Sequence, residues 1–161
     1  MTAMTEAAPA ATNPFARFTT SAFGRVPLSL TMLVLRLTLA LPFWKSGLTK
    51  WDGWFTLSFG AQALFTDEFK LHIFGAEFPY PAPLVMAYAS AIGETVLPVL
   101  LVLGLGTRYA ALGLLVMTGI IQLTVPDGWQ TFHLPWAAMA LAILTFGPGK
   151  AAADWLIGIE R

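Results

Sequence analysis

The stretch LRLTLALPFWKSGLTKWDGW, residues 35–54, decides the fold of this chain. It begins inside an apolar run with Arg36, at a position where a hydrocarbon side chain is expected, and it ends in tryptophans, lysines and an aspartate. Tryptophan and lysine are typical of the point where a membrane helix reaches the lipid headgroups. The stretch therefore predicts a transmembrane helix that carries a buried charge and ends at the membrane surface.

The composition of the whole chain supports a membrane protein. The 161 residues are 57% hydrophobic and 11% charged, whereas soluble domains contain about 25% charged residues. The formal net charge is zero, so we expect no nucleic-acid partner. The chain has no cysteine and two histidines, so we expect no iron–sulfur cluster, no haem and no resident metal ion.

Four apolar segments predict an all-α, integral membrane four-helix bundle. About 20 residues of helix cross the ~30 Å hydrocarbon layer, and the predicted spans are residues 28–48, 84–103, 109–125 and 133–146. We divide the chain into a flexible tail (1–27), the bundle (28–148) and a short interfacial C-terminal helix (149–161).

The segment between the first two spans is predicted to lie at the membrane surface. Residues 54–65 are aromatic and apolar but broken by polar residues, which favours a helix in the plane of the interface. Residues 71–83 contain three prolines and should be extended or turn-like. A short hairpin about Gly75 and Ala76 is the alternative there.

The distribution of positive charge predicts the orientation. Four spans place both termini on one side, and the terminal side then holds five positive residues outside the spans: Arg17, Arg25, Arg108, Lys150 and Arg161. The other side holds three: Lys45, Lys50 and Lys70. By the positive-inside rule both termini are cytoplasmic, and the expected location is a bacterial-type inner membrane.

Two charges fall inside the predicted spans. Arg36 and Glu94 lie at similar depths when residues are counted along two antiparallel helices. A lone charge at the bilayer centre costs about 2.5–3.5 kcal/mol, and an arginine can grip a carboxylate with two hydrogen bonds. We therefore predict an ion pair between Arg36 and Glu94.

Further polar residues share helical faces with these charges. Together they predict a polar pocket that opens outward, lined by Arg36, Lys50, Glu94, Thr118, Gln122 and His133. The alternative is that the charge pair is structural and fixes the helix register, with His133 only capping a helix. The scattered methionines favour core packing over copper ligation.

The residues named above resemble the DoxX family of small four-helix membrane proteins. The resemblance rests on Leu35-Arg36-Leu37 with Gly47-Leu48 and Lys50, on Glu94, on the run from Leu103 to Arg108, and on Gly147-Pro148-Gly149 followed by Asp154. It implies association with quinone-linked oxidases, with thiol and oxidative-stress systems, or with operons for metal-binding peptides; the outer-loop sequence looks closest to this last subgroup.

The resemblance favours a non-catalytic accessory subunit of a membrane redox or stress-response system over an independent enzyme. Quinone is the ligand it suggests for the pocket, and the expected partners are the lipid bilayer and other membrane or periplasmic redox or metal-stress proteins. Two alternatives stay open: a small transporter or copper-stress protein, and a purely structural membrane partner.

Overall fold

The computed structural model describes Gly24 and residues 26–159, and this part of the chain is mostly helical. The predicted tail lies almost entirely outside the described residues, as do the last two residues of the predicted C-terminal helix. Three long helices form the body of the protein: α1 (Leu28–Leu48), α3 (Pro83–Leu103) and α4 (Thr107–Thr124). Each is long and apolar enough to cross a membrane, as the sequence predicts.

A shorter helix, α5 (Leu134–Phe146), packs against both α4 and α1. Its 13 residues extend about 20 Å at 1.5 Å per residue. A 3-10 turn (Pro126–Gly128) and a π-helical turn (Trp129–His133) precede it, so the helical backbone is longer than α5 alone. A final short helix, α6 (Ala153–Leu156), follows the Gly-Pro-Gly turn after α5.

The prediction of an all-α chain is wrong between α1 and α3. Two antiparallel hairpins lie there: β1 (Trp51–Gly53) with β2 (Thr56–Leu57), and β3 (Lys70–Ile73) with β4 (Ala76–Pro79). The predicted interfacial helix over residues 54–65 is reduced to α2 (Phe59–Ala63) and a π-helical turn (Leu64–Glu68).

The second hairpin confirms the alternative considered for residues 71–83. Its two-residue turn places Phe74 at φ 51° and Gly75 at φ 82°, the positive values that tight hairpin turns require. Phe74 is fully exposed at this turn. The hairpin contacts α4, and the Nδ1 atom of His72 lies 3.1 Å from the carbonyl oxygen of Leu123 near the end of that helix.

The core is built from small and branched apolar residues on the facing sides of the long helices. Leu39, Leu101, Leu114 and Ile143 are fully buried there, one from each of α1, α3, α4 and α5. α1 packs closely against α3, where a Cβ atom built on Gly47 would lie 2.7 Å from the carbonyl oxygen of Glu94. Small residues permit such close approach of membrane helices, and here the contact fixes the height of Glu94 relative to α1.

Candidate functional site

Lys50 and Glu94 form a buried ion pair between α1 and α3. The Nζ atom of Lys50 donates to Glu94 Oε2 at 2.6 Å and to Ser46 Oγ at 3.0 Å. The hydroxyl of Ser90 donates to Glu94 Oε1 at 2.8 Å. Lys50 is 8% exposed and Glu94 4% exposed, so the two charges pair out of bulk water. We call Ser46, Lys50, Ser90 and Glu94 the ion-pair end of the molecule.

A cavity of about 280 Å³ adjoins the ion-pair end. All four residues of that end line it. The rest of its wall is mainly aromatic and aliphatic, and includes Phe43, Phe65, Phe69, Tyr80, Met86, Met117, Ile121 and Trp136. The volume is close to the lower limit of small-molecule pockets, about 300–1,000 Å³. An apolar chamber with charged groups at one place suits an amphipathic ligand with a polar head.

The segment between α1 and α3 forms one side of this cavity. Phe65 makes edge-to-face contacts with Phe69 and Tyr80, with ring centroids 5.3 Å apart in each case. The hydroxyls of Tyr80 and Thr124 are 2.6 Å apart, which ties the segment to the end of α4. Trp51 Nε1 donates to Thr95 Oγ1 at 3.0 Å, which ties it to α3. The segment between α1 and α3, which we call the hairpin segment, is therefore part of the cavity wall.

Arg36 does not pair with Glu94, and the predicted ion pair is wrong. The guanidinium group donates to backbone carbonyl oxygens: Nε to Leu101 at 2.8 Å, Nη2 to Val102 at 2.8 Å, and Nη1 to Pro148 at 2.9 Å and Ala151 at 3.1 Å. Arg36 is 1% exposed. It binds the end of α3 to the segment after α5.

The register of α1 against α3 explains the exchange of partners. The two helices run in opposite directions, and Gly47 packs against the backbone of Glu94. Glu94 therefore lies about 16 Å along the helix axis from Arg36, whereas Lys50, just after α1, lies near its level. Arg36 instead reaches the last turn of α3, where the carbonyl groups have no partner within the helix.

Asp154, in α6, has the matching role at the start of α4. Its carboxylate accepts from the backbone N–H groups of Gly106 and Thr107, both at 2.8 Å, and from the hydroxyl of Thr107 at 2.7 Å. The backbone N–H of Asp154 donates to the carbonyl oxygen of Gly104 at 2.8 Å. We call Arg36, Gly104, Thr107 and Asp154 the arginine end.

The arginine end follows the polarity of the helix termini. A cation sits at the carbonyl end of α3 and an anion at the N–H end of α4, and each placement is favourable to the helix dipole. Burial alone would raise the pKa of the Asp154 carboxyl group. The hydrogen bonds from Thr107 and Gly106 and the charge of Arg36 outweigh it, so that the pKa lies below its ordinary value.

The other predicted pocket residues lie outside the cavity lining. The hydroxyl of Thr118 donates to the carbonyl oxygen of Leu114 within α4. The buried ring of His133 has its Nδ1 atom 2.6 Å from Gln122 Oε1. The same ring packs against Trp136 and against Gly128, whose Cβ, if built, would meet it at 2.6 Å. This cluster holds the turn between α4 and α5.

Several residues of the cavity were not predicted. Ser46 lies one helical turn before Lys50, so the spacing of four residues was an available signal for it. Tyr80 and Phe65 come from the segment between α1 and α3, and their convergence depends on the two hairpins. Their positions could not be obtained from helical periodicity.

One comparison with known proteins identifies a family. A protein-family model described as DoxX matches residues 31–127. An uncharacterized protein of Haemophilus influenzae is 30% identical over 141 residues, which cover 79% of this chain and 83% of the relative. No solved structure matches the chain significantly. The matched region includes Arg36, Lys50 and Glu94 and ends before Asp154.

Proposed function

The chain belongs to the DoxX family of membrane proteins, and on that premise we propose that it is an accessory subunit of a membrane redox or stress-response system. Its part in that system is to hold a small amphipathic ligand, of the quinone class, in the cavity beside Lys50 and Glu94. The function rests on binding and needs no catalytic group in this chain.

One observation carries this proposal: the buried ion pair forms part of the wall of a cavity. A pair that only fixes helix register needs no open space beside it, since close packing would serve it better. Here, Lys50 and Glu94 contact one another and also face a chamber whose remaining wall is mostly apolar. Ionisable groups inside a membrane protein that face a cavity are typical of ligand sites.

The proposed setting is a bacterial-type inner membrane with both termini in the cytoplasm. In this arrangement α5 and the π-helical turn before it provide a fourth crossing. The five positive residues on the terminal side favour this orientation. The ion-pair end then lies toward the outer face, where it meets the hairpin segment, and the arginine end lies toward the cytoplasm.

The alternatives have less support. Among residues 26–159, no three His, Cys, Asp or Glu side chains come together as metal ligands do, so no observation favours a metal-handling role. A structural role suits the arginine end, where Arg36 and Asp154 cap helices, and their hydrogen-bond partners among the described residues do not line the cavity beside Glu94. It does not explain the chamber beside Glu94.

A variant that fills the cavity tests the proposal. Ala89 is exposed and lines the cavity, so Ala89→Phe should occupy the chamber without removing either charge. Ile92, on the same helix, is exposed outside the cavity lining, and Ile92→Phe is the matched control. We expect mass spectrometry of gently purified protein to show a retained quinone in the wild type and in Ile92→Phe, with loss in Ala89→Phe. Equal quinone content in all three proteins, or none in the wild type, would contradict the proposal.

A further inference from the structure

We infer that the cavity selects a ligand whose head group carries a hydroxyl over one that carries only carbonyl oxygens. For a ligand of the quinone class, this means that the reduced hydroquinone binds more tightly than the oxidised quinone. The inference rests on the proposed function, because it names the redox form that the same cavity holds.

The hydrogen-bonding capacity of the ion pair is the first step. An ammonium group has three N–H donors, and within the described residues Lys50 directs two of them, to Ser46 and to Glu94. A carboxylate accepts at about four positions, and Glu94 receives one donor at each oxygen, from Lys50 and from Ser90. The pair can therefore offer a ligand both a donor and an acceptor.

The geometry of the pair is the second step. Lys50 Nζ and Glu94 Oε2 are 2.6 Å apart, so a ligand oxygen that accepts from the ammonium group also lies close to the carboxylate. A hydroxyl oxygen can accept from Lys50 and direct its own proton to Glu94. A carbonyl oxygen can accept from Lys50 but brings its lone pairs against the carboxylate oxygens with no proton between them.

The apolar wall around the ion pair increases the difference in affinity between a hydroxyl and a carbonyl head group. Phe43, Phe69, Met117 and Trp136 line the cavity, and electrostatic interactions are stronger beside apolar walls than in water. The hydroxyl head group makes one hydrogen bond to a charged acceptor that the carbonyl head group cannot make. On general values for such bonds, we expect the hydroxyl form to bind about 10- to 100-fold more tightly.

The test compares decylhydroquinone with decylbenzoquinone on the full-length protein in lipid nanodiscs, by calorimetry under argon. Two further ligands, para-nonylphenol and para-nonylanisole, differ in the same hydroxyl donor, and their comparison involves no redox chemistry. We expect the hydroquinone and the phenol to bind at least about 10-fold more tightly than their partners. Equal affinities within either pair, or tighter binding of the benzoquinone or the anisole, would overturn the inference and leave the proposed function standing. Binding of neither quinone form would overturn both.

Two variants locate the preference. Glu94→Gln keeps an acceptor but adds an amide donor, which can serve a carbonyl oxygen, so the preference for hydroquinone should fall to within about threefold. Trp136→Phe alters the apolar wall and should weaken both ligands while keeping their ratio. A ratio that persists in Glu94→Gln, or collapses in Trp136→Phe, would show that Glu94 is not the selecting group. If Glu94→Gln does not fold, the phenol and anisole measurement on the wild type decides the matter alone.

Discussion

The ion-pair end and the arginine end both bury charge inside an apolar bundle, but their partners differ in kind. Lys50 and Glu94 bind each other and two serine hydroxyls, and a cavity adjoins them. Arg36 binds four backbone carbonyl groups, and Asp154 binds two backbone N–H groups and one hydroxyl. Side-chain partners can be exchanged for a ligand without unwinding a helix, whereas backbone partners cannot. The contrast assigns binding to one end and stability to the other.

Replacing Arg36 should break the arginine end and have the largest effect. Arg36→Leu removes four hydrogen bonds and leaves buried carbonyl oxygens of α3 and the C-terminal segment without donors. Each hydrogen bond to a charged group is worth about 1.5–3 kcal/mol, so we expect a loss of at least about 4 kcal/mol in the free energy of unfolding. Thermal unfolding in detergent measures it. Lys45→Ala, at an exposed position of the same helix, is the control, and an Arg36→Leu protein as stable as that control would refute the assignment.

Removing one member of the ion pair should cause the second-largest loss in the free energy of unfolding. A second substitution, at the other member, should restore most of that loss. Glu94→Leu leaves the Lys50 ammonium group buried without its carboxylate, at a cost of about 3 kcal/mol. The double variant Lys50→Met with Glu94→Leu replaces the pair by apolar side chains and should regain most of that stability. Unfolding of the wild type, both single variants and the double variant gives the coupling energy. A double variant less stable than either single one would mean that the pair itself supports the fold.

The glycine between α3 and α4 offers a third test of the arginine end. Gly104 has φ 73°, and a Cβ atom there would lie 2.6 Å from Ala152 Cβ and 3.0 Å from Arg36 Nη2. Gly104→Ala should therefore lower the free energy of unfolding by about 2 kcal/mol through backbone strain and overpacking.

Gly119 is the matched control, since it lies exposed in α4 with nothing within 4 Å of a built Cβ. Gly119→Ala should be neutral, or stabilising by up to about 1 kcal/mol through helix propensity. Equal effects of the two substitutions in thermal unfolding would argue against close packing at the arginine end.

The two ends also differ in how far the sequence predicts them. Apolar periodicity is sufficient to place Arg36 and Glu94 on buried helix faces, because burial depends on local spacing. Pairing is not predicted, since counting residues from assumed helix ends misses the register, in which Gly47 lies against Glu94, and treats only charges as partners. Backbone carbonyl groups at the end of α3 were the better acceptors for Arg36.

Tertiary contacts explain the remaining differences from the sequence analysis. The role of Asp154 depends on the chain returning from α5 to the start of α4, and helical spacing carries no information about that return. One indication was present, an isolated acid after Gly147-Pro148-Gly149 in an apolar segment. The hairpins between α1 and α3 were similarly obscured, because aromatic residues favour both strands and interfacial helices.

The smallest predicted effect concerns Asp154 and separates charge from packing at the arginine end. Because the pKa of the folded carboxyl group lies below its ordinary value of 3.8, the carboxylate stabilises the fold above that value, and this contribution is lost as the pH falls through the folded pKa. Asp154→Asn keeps the size and one acceptor but removes the charge at the start of α4, at a cost of about 1 kcal/mol at pH 7.

The measurement is the difference in unfolding free energy between the wild type and Asp154→Asn, taken at about pH 7 and at about pH 3. The difference should shrink at the lower pH, because below the ordinary pKa of 3.8 the unfolded chain takes up a proton more readily than the folded carboxyl group does. Asp127→Asn, in the exposed turn before α5, is the control for the loss of an exposed carboxyl group. If the difference in unfolding free energy is the same at both pH values, Asp154 acts through its shape and not its charge. Arg36 would then be the only charge shown to stabilise the arginine end.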